Sequence, residues 1–172
     1  MTLSLRQPQT LDDLLNFRLL RLFAVAGAPV VRLLEGRYGI ARREWRLLAV
    51  LGTRGALSPS ALADEAQLDR PRTSRAIGTL LKKGLLARGV QRGDARRAQV
   101  ALTATGHALY AEVFPQVAAI NSQLVAVLDD ATVATLDAAL TTLTAAAVRH
   151  NGTLAQDVSA DRRAGGTRRI RP

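Results

Sequence analysis

Apolar residues at positions 11, 14, 15, 19, 22, 23, 25 and 26 recur close to every 3.6 residues, which predicts a first helix over 11–34, disturbed near Gly27 and Pro29. The tract EGRYGIA, residues 35–41, predicts a glycine-punctuated turn. Residues 42–53 place Trp45, Leu48 and Ala49 on one helical face. Ser58 followed by Pro59 is a helix start, with serine as N-cap and proline at the first helical position of a short helix over 59–66. Residues 67 and 68 make a tight link, and Asp69 caps another helix that runs to about residue 83 and stops at Gly84. The period then changes to 2. Ala98, Val100 and Leu102 alternate with Arg97, Gln99, Ala101 and Thr103, a strand pattern. With residues 85–90 before it and QRGDA at 91–95 between, this predicts a two-stranded hairpin. Helix resumes over 105–128 and 130–150, and a Gly- and Arg-rich tail, expected to be disordered, occupies 158–172.

A short helix, a tight link, a basic helix and a small hairpin make a winged helix-turn-helix over 42–104. The expected fold class is mainly α, about six helices plus a two-stranded β-hairpin wing. Two apolar stripes follow, Leu109, Val113, Val117, Ile120, Leu124, Val127 and Leu128, then Leu136, Leu140, Leu143 and Val148. They extend too far to be covered by a small winged domain, so a partner helix is expected.

Composition sharpens the reading. The net charge is +10, and lysine occurs only at 82 and 83, so 22 of the 24 basic residues are arginines. Arginine's planar fork of donors suits phosphates and guanine edges, and such a charge suits a polyanion. There is no cysteine and only two histidines, His107 and His150, so neither a disulfide nor a metal site is expected. No cofactor is expected either. Scattered acids and two distant histidines assemble no nucleophile–base set, so the chain is not expected to be an enzyme. No apolar run is expected to reach the roughly 18 residues of a membrane span, and the start, MTLSLRQPQT, lacks a signal-peptide layout. A cytoplasmic protein is expected.

Placed at about 100° per residue, Thr73, Ala76, Ile77, Leu80, Leu81 and Gly84 share one broad face of the basic helix. Pro71, Ser74, Arg75, Gly78, Thr79 and Lys82 lie opposite, with Arg72 and Lys83 toward one edge. That outward face holds no acid, whereas a merely solvated helix usually mixes charge signs in i,i+4 pairs. The expected DNA-contacting residues are therefore Pro71, Arg72, Ser74, Arg75, Thr79 and Lys82, with Ser58 and Asp69 as the caps of the helix-turn-helix. In the hairpin, Arg88, Arg92, Arg96 and Arg97 surround Asp94, a cationic wing suited to the minor groove.

In REWRLLAVL (43–51), LSPSALADEAQLDRPRTSRAIGTLLKKGLLAR (57–88) and DARRAQVALTATG (94–106) the chain resembles the MarR family of bacterial transcriptional regulators. The resemblance rests on Asp69, Ser74, Arg75, Leu80, Gly84 and Leu85 in the recognition helix, and on Asp94, Arg96, Leu102, Thr103 and Gly106 in and after the wing. It implies a homodimer in which the helices of 11–34 and 105–150 intertwine. Each winged domain would enter one major groove of a roughly palindromic operator. Ala41, where a capping Ser or Thr is expected, and Ala95, often arginine in the family, depart from its pattern. The resemblance also implies a small phenolic or aromatic carboxylate effector, for which Arg18, Arg21, Tyr38, Trp45, Arg46 and His107 are the candidate pocket residues. The expected function is sequence-specific double-stranded DNA binding by a ligand-responsive repressor. The alternative is a non-specific architectural DNA binder without effector.

Overall fold

The structure, a computed structural model, describes residues 5–91, 94–150 and 153, with the backbone alone at 90, 91 and 94–97. The expected tail at 158–172 and Arg92 lie outside the described residues.

The helix expected over 11–34 is divided. A 3-10 turn at Leu11–Asp13 precedes α1 (Leu15–Ala26), and α2 (Ala28–Val31) follows Gly27. Gly27 is a close-approach position, because a Cβ there would lie 2.6 Å from the Arg42 guanidinium and 2.7 Å from the Phe23 carbonyl oxygen. Pro29 stands in the first turn of α2, where its missing N–H leaves no helical bond unmade. Helical winding then continues as a wide π turn over Arg32–Arg37, so the expected turn at 35–41 begins only at Tyr38, and Gly39 adopts φ +60°.

From α3 (Arg42–Arg54) onward the boundaries follow the sequence pattern closely: α4 (Pro59–Glu65), α5 (Arg70–Lys82), β1 (Leu86–Gln91), β2 (Asp94–Leu102), α6 (Ala104–Val125) and α7 (Asp130–His150). The two strands pair antiparallel, with Leu86 opposite Leu102 and Arg88 opposite Val100. Leu57 adds a one-residue third strand, exchanging both backbone hydrogen bonds with Val100 at 3.1 and 2.9 Å. This tie fixes the root of the hairpin to the entry of α4.

The core fills the space among α3, α4, α5 and the hairpin root: Leu47, Leu48, Leu51, Leu62, Ile77, Leu80, Leu86 and Val100 are buried, joined by Leu34, Ile40 and Val113. α6 leaves the wing through Thr103, whose hydroxyl accepts the Gly106 N–H at 3.0 Å and donates to the Gly84 carbonyl at 2.7 Å. Gly106 is required there, because a Cβ would meet the Leu85 carbonyl oxygen at 2.2 Å.

The two ends of the chain, α1 and α2 with the residues around them and α6 with α7, make up the arm and differ from the winged core. Every large apolar side chain exposed among the described residues falls within 5–25 or 114–148, and none of α7 is buried. No unbroken apolar run of membrane length occurs, as expected, but α7 is apolar on average. Its 21 residues reach a mean hydropathy of 1.4 over an 18-residue window, enough by length and composition to cross a membrane. Alanine and valine interspersed with threonine raise that mean without forming an unbroken apolar run.

Candidate nucleic-acid interface

The helix-turn-helix is set by two caps and one strained residue. The Ser58 hydroxyl accepts the Ala61 N–H at 3.2 Å, starting α4. After α4, Gln67 takes φ +51°, a left-handed conformation unusual for a side-chain-bearing residue, and its amide nitrogen donates to the Asp64 carbonyl at 2.9 Å. That kink turns the chain within three residues. Asp69 then accepts the Arg72 N–H at 2.7 Å and starts α5. Both caps lie where the sequence places them.

α5 divides as expected. Thr73, Ala76, Ile77 and Leu80 are buried, and Thr73 satisfies its hydroxyl by donating to the Asp69 carbonyl at 2.9 Å. Pro71, Arg72, Ser74, Arg75, Thr79 and Lys82 are all exposed, with Gly78 half-buried among them. Arg72 is held: its Nε lies 3.1 Å from the second Asp69 oxygen, so one edge of the guanidinium belongs to the cap. The Thr79 hydroxyl donates to the Arg75 carbonyl at 3.2 Å. Arg75 and Lys82 have no acidic partner among the described residues.

Beside this face, α4, α5 and β2 enclose an open cleft of about 770 Å³ whose polar lining is Ser58, Ser60, Arg70, Ser74 and Gln99. A backbone of alternating phosphates suits such a lining of hydroxyls, an amide and a guanidinium. Arg88 is exposed on β1, whereas Asp94, Arg96 and Arg97 are described by backbone only, all on β2.

Neither of the two cavities described, by α4, α5 and β2 or along α1, is lined by any of the six candidate effector residues. Arg18 is exposed on α1, and Arg21 pairs with Asp12 at 2.9 Å. Trp45 is a core residue stacked on Tyr110, ring centroids 5.9 Å apart. Arg46 donates to the Ala66 carbonyl at 3.1 Å, and burial, followed by the charge of Arg42, lowers its pKa. Tyr38 donates its hydroxyl to Glu112 of α6 at 2.9 Å and accepts from Gln116. His107 is exposed on the same helix. What does cluster is aromatic. Phe114 continues the Trp45–Tyr110 stack at 5.5 Å, and the Arg42 guanidinium lies 4.3 Å from the centre of the exposed Phe23 ring.

The MarR family profile matches residues 38–97, from the end of the arm to the second wing strand. FarR, an HTH-type transcriptional regulator of Neisseria gonorrhoeae, is 33% identical over 78 residues, 45% of this chain. The matched stretch spans only 53% of FarR's own length. Over more of the molecule, a MarR family transcriptional regulator from Silicibacter pomeroyi superposes with TM-score 0.71 at 26% identity, across 80% of this chain and 92% of that one. The winged region is thus similar in sequence to the MarR family, and most of the chain is similar in fold to a MarR family regulator. NadR, solved in complex with 4-hydroxyphenylacetate, superposes with TM-score 0.64 at 27% identity, across 74% of this chain and 90% of NadR.

The sequence pattern misses several residues of this candidate interface and its support. Ser60, Arg70 and Gln99 line the cleft but are not among the expected DNA-contacting residues. Glu44 is also missed, although its spacing signals it. It stands three residues after Ala41, the reciprocal position of a capping box, and its Oε2 accepts the Ala41 N–H at 3.1 Å. The alanine that weakens the start of α3 is thus compensated from within the first turn.

Proposed function

We propose that the protein is a sequence-specific double-stranded DNA-binding transcriptional regulator, a dimeric repressor that releases its operator on binding a small aromatic or phenolic carboxylate. The observation that carries the DNA-binding reading is the outward face of α5. It offers Arg75, Lys82, Ser74 and Thr79 with no acid, beside a cleft that α5 shares with the wing. Arg75 and Ser74 are the proposed base-edge readers, with Pro71, Arg72, Thr79 and Lys82 alongside. Arg70, Ser60 and Gln99 are proposed as phosphate contacts, and Arg88, Arg92, Asp94, Arg96 and Arg97 as the wing's contribution.

The dimer is proposed from the exposed apolar residues of α1, the end of α6, and α7, which a second copy would cover. Two-fold symmetry then sets the two recognition helices about 34 Å apart, on a roughly palindromic site. For the effector, Arg42 over Phe23, together with the exposed Phe114, offers charge and stacking for an aromatic acid more directly than Arg46 does. The 4-hydroxyphenylacetate bound by NadR has this chemistry.

The test is footprinting of the purified protein on a selected DNA library, repeated with 4-hydroxyphenylacetate. Sharp palindromic protection that the acid weakens is expected. Uniform protection of all sequences would establish the architectural alternative instead. Within that assay Arg75→Ala should lose about 1–3 kcal/mol on the selected operator and far less on random DNA.

A further inference from the structure

The chain has only two lysines, side by side at the end of the recognition helix, in a protein that otherwise uses arginine. They have different surroundings. Lys82 is exposed on the outward face, without an acidic partner among the described residues. Lys83 turns inward. Its Nζ lies 2.6 Å from Glu44 Oε2 and donates to the Gly39 carbonyl at 2.8 Å. The Glu44 side chain is 10% exposed, and the same Oε2 holds the Ala41 N–H. One ammonium therefore ties the last turn of α5 to the segment 39–44 that joins the arm to α3. A compact point donor with three N–H bonds can serve a carboxylate and a carbonyl in different directions, which arginine's planar fork does less readily.

The tie is placed where it controls the angle of α5. The front of the helix is fixed by Asp69 and by the packing of Thr73, Ala76 and Ile77. Its back would otherwise be held by Leu80 and by the Gly84 turn, where the Leu85 N–H reaches the Leu80 carbonyl at 3.0 Å. Gly39 directly follows Tyr38, whose hydroxyl is bonded to Glu112 and Gln116 of α6. A continuous chain of hydrogen bonds and peptide units thus runs from the long helix α6, through Tyr38, Gly39 and Lys83, to the end of α5.

We propose that Lys83 is a positioning residue for DNA reading. Through Glu44 and Gly39 it sets the orientation of the recognition helix, and it makes no contact with the DNA itself. This rests on the reading of α5 as a recognition helix, so one arm of the test involves no DNA. In the DNA-free dimer, hydrogen exchange of the Ala41 amide should quicken about tenfold in Lys83→Met and in Glu44→Gln, since a charge-assisted tie is lost in each. An unchanged rate would overturn the proposal whatever the DNA result.

In the DNA arm, Lys83→Met should weaken operator binding about tenfold, leave random-DNA binding within about twofold, and leave the slope of log K against log salt unchanged. Glu44→Gln should do the same, and the double variant should be no worse than either single one. Lys82→Met is the internal control, weakening both DNAs and lowering the salt slope by about 1. A slope change of about 1 in Lys83→Met, a silent Glu44→Gln, or additive losses would each overturn the proposal. So would a lowered melting temperature with operator affinity intact, which would make the tie structural only.

Discussion

α5 and α7 are both amphipathic by pattern, yet they stand in opposite relation to the rest of the chain. α5 has 13 residues and buries four of them in its own domain, leaving an outward face that is small, polar and cationic. α7 has 21 residues, buries none, and exposes Leu136, Leu140, Leu143 and Val148. The winged domain therefore completes its own core, whereas the arm has apolar surface in need of a partner. On the proposed reading the difference is one of where the further contacts lie: for α5 they would be polar and transient, for α7 apolar and permanent.

The most severe way to break the contrast is a charge in the arm. Leu140→Asp should weaken the dimer by about 4 kcal/mol or more, roughly a thousandfold, because it would bury an unpaired carboxylate. Sedimentation should then show monomers whose winged domain still melts cooperatively, and an intact dimer would refute the assignment of α7. Leu48→Ala in the winged core should cost about 2–5 kcal/mol in thermal or chemical denaturation, independent of protein concentration. The same truncation at Leu140 should give a melting temperature that moves with concentration.

A second pair sharpens it within the winged domain. Gly106→Ala should destabilise by about 1–3 kcal/mol, since the new methyl meets the Leu85 carbonyl oxygen and α6 must shift. Gly78→Ala has open space around it and should stabilise α5 by up to about 1 kcal/mol while weakening operator binding, measured by melting and by titration on one sample. Gain of stability together with unchanged operator affinity would place Gly78 away from the DNA.

The smallest effect concerns the start of the arm. The Asp13 carboxyl is held below its ordinary value of 3.8, chiefly by the Gln9 N–H and then by the Thr10 hydroxyl and N–H. A lowered folded pKa supports the turn fully above that ordinary value and loses the support as pH falls through the lowered one. Exchange of the Gln9 and Thr10 amides, followed below pH 4, should accelerate on acidification in the native protein and should be insensitive to pH beyond intrinsic chemistry in Asp13→Asn.

What was legible in the sequence was what is local. Ser58 and Asp69 cap within three residues, and the buried and outward faces of α5 follow from a single period. The strand alternation gave the hairpin, though its side chains at 94–97 are not described. What escaped depends on distance along the chain or on single atoms. Glu44 and Lys83 are joined across 39 positions, and Arg46 reaches a carbonyl 20 residues away. Leu57 is a strand of one residue, too short for any periodicity. The break of the first helix at Gly27 was expected, but not its contact with the Arg42 guanidinium of α3.

On the outward side of α5, no hydrogen bond or ion pair among the described residues ties the side chains of Ser74, Arg75 or Lys82 to another element. Whatever these positions carry, the helix is capped, packed and anchored by others. Duplicated copies of such a gene can therefore drift toward new target sequences one residue at a time, each intermediate folding as well as the last. If α5 is the reading helix proposed above, the same separation makes it a ready cassette for retargeting with the fold left untouched.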